Sequence, residues 1–261
     1  MLQFYSRFLP LLVGLLIGMA HAANIGVVLM HGKSGNPAKF VDGLAGELRD
    51  TGFEVANIEM PWSGNRHYDV NMQSAVNEIS AALDALRAKG AKKVFVAGHS
   101  QGGLFALHYG GLHGVDGIVA IAPGGSHGAS AFRGALGGHV AKAKAMIDAG
   151  NGQATESFAD YEGAKGTFTI VTSATIYFDW FNPDGPHNMD VAASHVKPGT
   201  PVLYVAPTRD YPALKKTRQS NFAALPRHEL TRLIEPNADH LAAPSAAAAD
   251  IISWIREVSA R

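Results

Sequence analysis

Val94–Gly103 reads VFVAGHSQGG. Val94–Ala97 is a short apolar run rich in β-branched residues, the composition of a buried strand. Gly98-His99-Ser100-Gln101-Gly102 follows as G-x-S-x-G, then Gly103 and a helical stretch. Strand, tight turn and helix together form the context in which this pattern makes a sharp elbow with the serine at its apex. The turn is so tight that its flanking positions must be glycine, because a side chain there would clash. The Ser100 hydroxyl is thereby lifted above the sheet edge, where a histidine can reach it. With 29 glycines in 261 residues, the bare pattern is expected about 0.2 times in such a chain by chance, so its weight comes from its context.

The same grammar extends on both sides. Asn24–Met30, Phe53–Met60, Lys92–Ala97, Val115–Ala122, Thr200–Ala206 and Glu229–Glu235 read as strands. Pro37–Thr51 reads as a helix with Phe40, Leu44 and Leu48 on one face, its proline near the first turn where a missing N–H costs nothing. Val70–Lys89 is a long amphipathic helix with a stripe of Val76, Ile79, Leu83 and Leu86, stopped by Gly90. Ser100–Gly110 and Ala246–Val258 complete the helices outside Gly124–Pro198. Helices alternating with short, fully apolar strands predict an α/β chain with a parallel sheet of about six core strands, covered on both faces.

Three further stretches give these elements a family likeness. Val27–Gly32 (VVLMHG) is an apolar strand ending in His-Gly. Pro201–Asp210 (PVLYVAPTRD) is an apolar strand leading to an acid, and Leu233–His240 (LIEPNADH) a strand leading to a histidine. With the elbow, these residues resemble the α/β-hydrolase family, particularly its small lipase, esterase and acyl-transfer members. The order Ser100, Asp210, His240 is the nucleophile–acid–histidine order of that fold. The resemblance spans Asn24–Pro123 and Thr200–Arg261. It implies that His240 accepts the Ser100 proton and that Asp210 holds the imidazole in the needed tautomer. The expected oxyanion donors are the backbone N–H groups of Gln101, at a helix start, and of Lys33, with Ser34 behind it. Similar proteins often carry glycine where this chain has Ala206-Pro207. A proline can end the strand and shift the acid, so Asp184 and Asp190 stand behind Asp210 as alternatives.

Gly124–Pro198 interrupts the core after the fourth strand, where resembling proteins carry a cap. It contains a helical piece near Val140–Ala149 and the apolar, aromatic run Thr167–Phe181 (TFTIVTSATIYFDWF), which has no clean period. Two readings stand: a lid with an apolar, acyl-binding inner face, or extra elements packed on the core. Trp62, in the loop after the second strand, lines a substrate pocket or plugs the core.

Lys plus Arg and Asp plus Glu are 22 each, a net charge of zero, which favours neither nucleic acid nor an anionic membrane as partner. The histidines include no metal-ligand spacing such as H-E-x-x-H, and neither a metal nor a cofactor is expected. His99 is expected to pack beneath the elbow and His31 to organise the oxyanion loop. Phe8–Met19 is an apolar stretch after a positively charged start, followed by Ala20-His21-Ala22, an A-x-A cleavage site. Residues 1–22 thus read as a secretory signal peptide, too short for a membrane anchor, leaving 23–261 as the mature domain. The absence of cysteine removes disulfides and thiolate metal sites. The expectation is a periplasmic or secreted serine hydrolase without a stable membrane anchor, acting on a small-molecule carboxylic ester with an apolar acyl group. An amide hydrolase or acyltransferase with the same three residues, and a non-catalytic binding protein on the same fold, are the alternatives.

Overall fold

The computed structural model describes residues 25–261. The leader expected over 1–22 lies outside the described residues, as does Asn24, the first residue of the expected opening strand. From residue 25 the chain runs β1 (Ile25–Met30), α1 (Asp42–Asp50), β2 (Glu54–Ile58), α2 (Met72–Ala88), β3 (Lys93–His99), α3 (Gln101–Leu112) and β4 (Gly117–Ile121). The insertion then supplies α4 (Ser130–Asp148), β5 (Thr155–Tyr161), a 3-10 turn at Gly163–Lys165, β6 (Thr167–Ser173), α5 (Ala174–Phe181) and α6 (Met189–His195). The chain returns through β7 (Val202–Val205), α7 (Pro212–Ala223), β8 (Arg232–Ile234), α8 (Ala243–Ala246) and α9 (Ala248–Ser259).

Among the described residues, six strands form one sheet in the order β2-β1-β3-β4-β7-β8, and every pairing is parallel. This is the architecture the sequence predicts. Successive side chains of a strand point to opposite faces, and here both faces are apolar. Ile25, Val27 and Leu29 of β1, Phe95 and Ala97 of β3, and Leu203 and Val205 of β7 join one core with Leu44, Leu48, Ile251 and Ile255 of α1 and α9. Val28, Met30, Val94, Val96, Val202 and Tyr204 join the other, with α2, α3 and the insertion. The predicted stripe of α2 is buried throughout, and Asn71 caps the helix by accepting from Ser74 N–H at 2.8 Å.

Several elements differ in extent from the sequence reading. The α1 helix begins at Asp42 rather than Pro37. The Pro37 carbonyl, which a helix would offer to residue 41, instead accepts from Asn57 Nδ2 at 2.7 Å, pinning the segment to β2. Phe40 therefore leaves the expected apolar face and sits at φ 69°, partly exposed. The last helix is broken into α8 and α9.

The insertion explains its own lack of period. Thr167–Phe181 is half strand and half helix: β6 pairs antiparallel with β5 up to Ser173, whose hydroxyl then caps α5 by accepting from Ile176 N–H at 3.3 Å. Phe158, Ile170, Tyr177, Trp180 and Phe181 of the insertion are buried in one cluster with Trp62, Leu104 and Phe105.

Candidate active site

Parallel register gathers the site. Met30 pairs with Gly98, His99 with Ile121, Ile121 with Val205, and Val205 with Ile234. The carboxyl ends of β1, β3, β4, β7 and β8 thus share one rim, the edge at which open α/β sheets place their ligands. Beyond β7 and β8 the two loops stay laddered. Ala206 N–H donates to the Ile234 carbonyl at 2.9 Å, Thr208 N–H to Pro236 at 3.0 Å, and Arg209 N–H to Ala238 at 3.0 Å. Arg209 and Asp239 form a parallel bridge. The next residue on each side is Asp210 and His240, so the bridge sets them abreast. β7 does end at Val205, ahead of Pro207, but the ladder carries the acid into place.

Ser100 follows β3 with φ 56° and ψ −118°, a left-handed backbone that costs a non-glycine residue about 1–3 kcal/mol. A Cβ on Gly98 would collide with the Gly102 carbonyl, and one on Gly102 would lie 2.7 Å from the carbonyls of Met30 and His31. Both glycines of the motif are therefore required by space. Ser100 N–H donates to the Ile121 carbonyl at 2.8 Å, which ties the turn to β4.

The three expected side chains meet. His240 Nε2 lies 3.0 Å from Ser100 Oγ, and His240 Nδ1 lies 2.7 Å from Asp210 Oδ1. Asp210 and His240 are both buried. Asp210 Oδ1 also accepts from Tyr211 N–H at 2.7 Å. The carboxylate can only accept, so Nδ1 carries the imidazole proton and Nε2 is left as an acceptor for the serine hydroxyl. Asp184 is exposed and paired with Arg133, and Asp190 lies exposed in the first turn of α6. Neither bonds the imidazole, whose two nitrogens are taken by Asp210 and Ser100.

Two neighbouring histidines are fixed by hydrogen bonds. Burial, with His240 beside it, pushes His99 down to about 3, so its ring is neutral and Nε2–H donates to the His240 carbonyl at 2.8 Å. His99 thus holds the backbone of the residue whose ring faces Ser100. His31 Nδ1–H donates to the Gly32 carbonyl at 2.7 Å, and its Nε2 accepts from Met60 N–H at 3.0 Å. Both bonds brace the turn that leads to Lys33.

Gln101 N–H opens α3 and has no helical carbonyl to reach. Ser34 N–H is taken by the Trp62 carbonyl at 3.0 Å and Gly35 N–H by Gly32 at 3.1 Å. Among the described residues Lys33 N–H has no such partner. Trp62 is buried; its indole N–H donates to the His31 carbonyl at 2.9 Å, and its ring packs edge-on against Phe105 and Trp180. Sequence reasoning missed Asp160 and Tyr68, both buried and hydrogen-bonded to each other at 2.8 Å. The available signal was an acid at an inward position of Phe158-Ala159-Asp160, two residues from a buried phenylalanine. Among the described residues, no group of three or more His, Cys, Asp or Glu side chains could hold a metal ion.

A parallel sheet with a strained serine at the strand–helix turn and a histidine–carboxylate pair on the same rim defines a hydrolase-type α/β fold. The chain belongs to the α/β-hydrolase family, whose model matches residues 27–252. Among curated proteins, none matches the sequence. Solved structures that share the fold include one from a study of two metagenome-derived lipolytic enzymes, LipS and LipT (19% identity, 90% of this chain and 94% of that chain covered, TM-score 0.62). Others are a monoacylglycerol lipase of Paleococcus ferrophilus (21%, 89% and 94%, 0.59) and Est1E of Butyrivibrio proteoclasticus with ferulic acid bound (14%, 90% and 90%, 0.61).

Proposed function

We propose that this protein is an exported serine hydrolase that cleaves carboxylic esters through an acyl-enzyme on Ser100. The observation that carries the reading is the unbroken chain of short contacts from Ser100 Oγ through the His240 ring to Asp210. In the first half-reaction, Ser100 Oγ attacks the ester carbonyl while its proton passes to His240 Nε2. The imidazolium that forms is stabilised by Asp210 and returns the proton to the leaving alcohol. In the second, water attacks the acyl carbonyl and gives its proton to the same nitrogen, which passes it to Ser100 Oγ as the acyl–oxygen bond breaks and the acid leaves. Negative charge on the carbonyl oxygen is met by Gln101 N–H and Lys33 N–H. Loss of one such donor typically costs ~10²–10³ in turnover.

We read the acyl group as apolar from the aromatic character of the insertion, whose Phe132 and Phe181 pack on the Lys33 side chain. The Phe132 and Phe181 ring centroids lie 5.1 and 6.0 Å from Lys33 Nζ. The strain kept at Ser100 argues against a protein that merely binds, because a binding site has no need to raise a hydroxyl in this way. Export rests on residues 1–22, and N-terminal sequencing of protein recovered outside the cytoplasm is expected to begin at Ala23. The direct test of activity is a panel of p-nitrophenyl esters of increasing chain length. The wild type is expected to hydrolyse them with a preference set by acyl length. Ser100→Ala is expected to fold and to be inactive. Retention of most activity by the folded variant would overturn the reading.

A further inference from the structure

The insertion reaches the rim from its other side. Asp160, on β5, is fully buried. Its Oδ1 accepts from Lys33 Nζ at 2.5 Å and from Tyr161 N–H at 2.6 Å, and its Oδ2 from the Tyr68 hydroxyl at 2.8 Å. Lys33 Nζ also donates to the Tyr161 carbonyl at 3.1 Å. With its O–H donated to Asp160, the Tyr68 oxygen accepts from Gln101 Nε2 at 3.3 Å. One carboxylate of the insertion is therefore bonded to the side chain of Lys33 and, through one phenol, to that of Gln101. These are the two residues whose backbone N–H groups face the reacting oxygen in the proposed mechanism.

The surroundings of this link are built at some cost. His67 and Tyr68 both occupy the left-handed region, at φ 49° and 57°, though neither is glycine. Strain of this kind persists only where neighbouring structure over-determines it. Here Tyr68 N–H donates to the Pro61 carbonyl at 2.7 Å, and the Tyr68 carbonyl accepts from Thr172 Oγ1 of β6 at 2.8 Å. The Lys33–Asp160 pair is buried on both sides. A buried ion pair is a poor source of stability, since well-packed apolar residues often serve as well or better. What it does provide is fixed geometry, which an oxyanion site needs. Misplacement by about 1 Å can cost on the order of 10²-fold in rate.

We propose that Asp160 is a positioning residue that sets the oxyanion hole from the insertion, holding the Lys33 loop directly and the first turn of α3 through Tyr68 and Gln101. The proposal rests on Ser100 being the nucleophile. Two variants separate positioning from folding. The pair Lys33→Met with Asp160→Asn removes both charges together, strands neither, and leaves the Lys33 backbone N–H in place. Tyr68→Phe removes only the phenol oxygen that joins Asp160 to Gln101.

With the best p-nitrophenyl ester of the panel, each variant is expected to lower kcat about 10- to 100-fold. KM should stay within about twofold, since an oxyanion interaction is realised in the transition state. The acid limb of the pH–rate profile should not move, because His240 and Asp210 are untouched. Wild-type kcat in both variants, with Ser100→Ala inactive, would overturn the role of Asp160 while leaving the hydrolase reading intact. If the pair variant does not fold, Tyr68→Phe decides alone by the same criterion. Full turnover by Ser100→Ala would instead remove the reading on which the proposal stands.

Discussion

His240 is held at three points: its Nδ1 on Asp210, its Nε2 at Ser100, and its carbonyl on the His99 ring. The Asp210 contact decides which ring nitrogen carries the proton. Asp210→Asn tests that logic at constant shape. An amide nitrogen turned toward Nδ1 would make Nδ1 the acceptor and place the proton on Nε2, where it blocks transfer from Ser100. The expected result is a fall in kcat on the order of 10⁴-fold with little change in KM, measured on the preferred ester. A fall of less than about tenfold would mean that Asp210 does not set the tautomer. The rate should also decline as the pH is lowered, because the base must be neutral to act.

Among the elements, α2 offers the cleanest stability test. Its buried stripe packs on the sheet, and its first turn is closed by Asn71, whose side chain accepts from Ser74 N–H. Asn71→Ala is expected to cost about 1 kcal/mol, seen as a lowered urea midpoint, with ester turnover unchanged. An unaltered midpoint would show that the cap contributes nothing. The strands were legible as short, continuous apolar runs and this helix by its single strong period, with glycine, proline or a capping residue marking their ends. The insertion was not. Only part of α4, near Val140–Ala149, was visible, because Gly134, Gly137 and Gly138 lie within the helix and each weakens its local signal. The β6–α5 junction changes period at Ser173 inside a continuous apolar run, so no single template fits it. Ser100, Asp210 and His240 could be read because each follows an apolar strand. The partnership of Lys33 with Asp160 could not, because 127 residues separate them and only the folded insertion joins them.

For the whole molecule, the outstanding electrostatic feature is a set of histidines kept neutral by burial. Desolvation lowers His99 and His127 to about 3 and His108 to about 4, and puts His187 well below its ordinary value. In the unfolded chain each regains an ordinary value near ~6.5. The unfolded state therefore takes up the proton first as pH falls. Their contribution to stability is complete above about pH 6.5 and declines below it, toward the lowered folded values, by about 1.4 kcal/mol per pH unit for each imidazole. Urea midpoints measured from pH 7.5 to 5 are expected to begin falling near pH 6.5, before carboxylates titrate. A flat profile down to pH 5 would contradict the burial of these rings. Among the described residues no helix is long and apolar enough to cross a membrane.

All of these scales converge on one hydroxyl. The most direct measurement is to treat the folded wild type and Ser100→Ala with a fluorophosphonate, digest both, and locate the adduct by mass spectrometry. The account predicts a single phosphonyl group on the wild-type peptide at Ser100 and none on the variant. An unlabelled wild type, or a label carried by another residue, would contradict it.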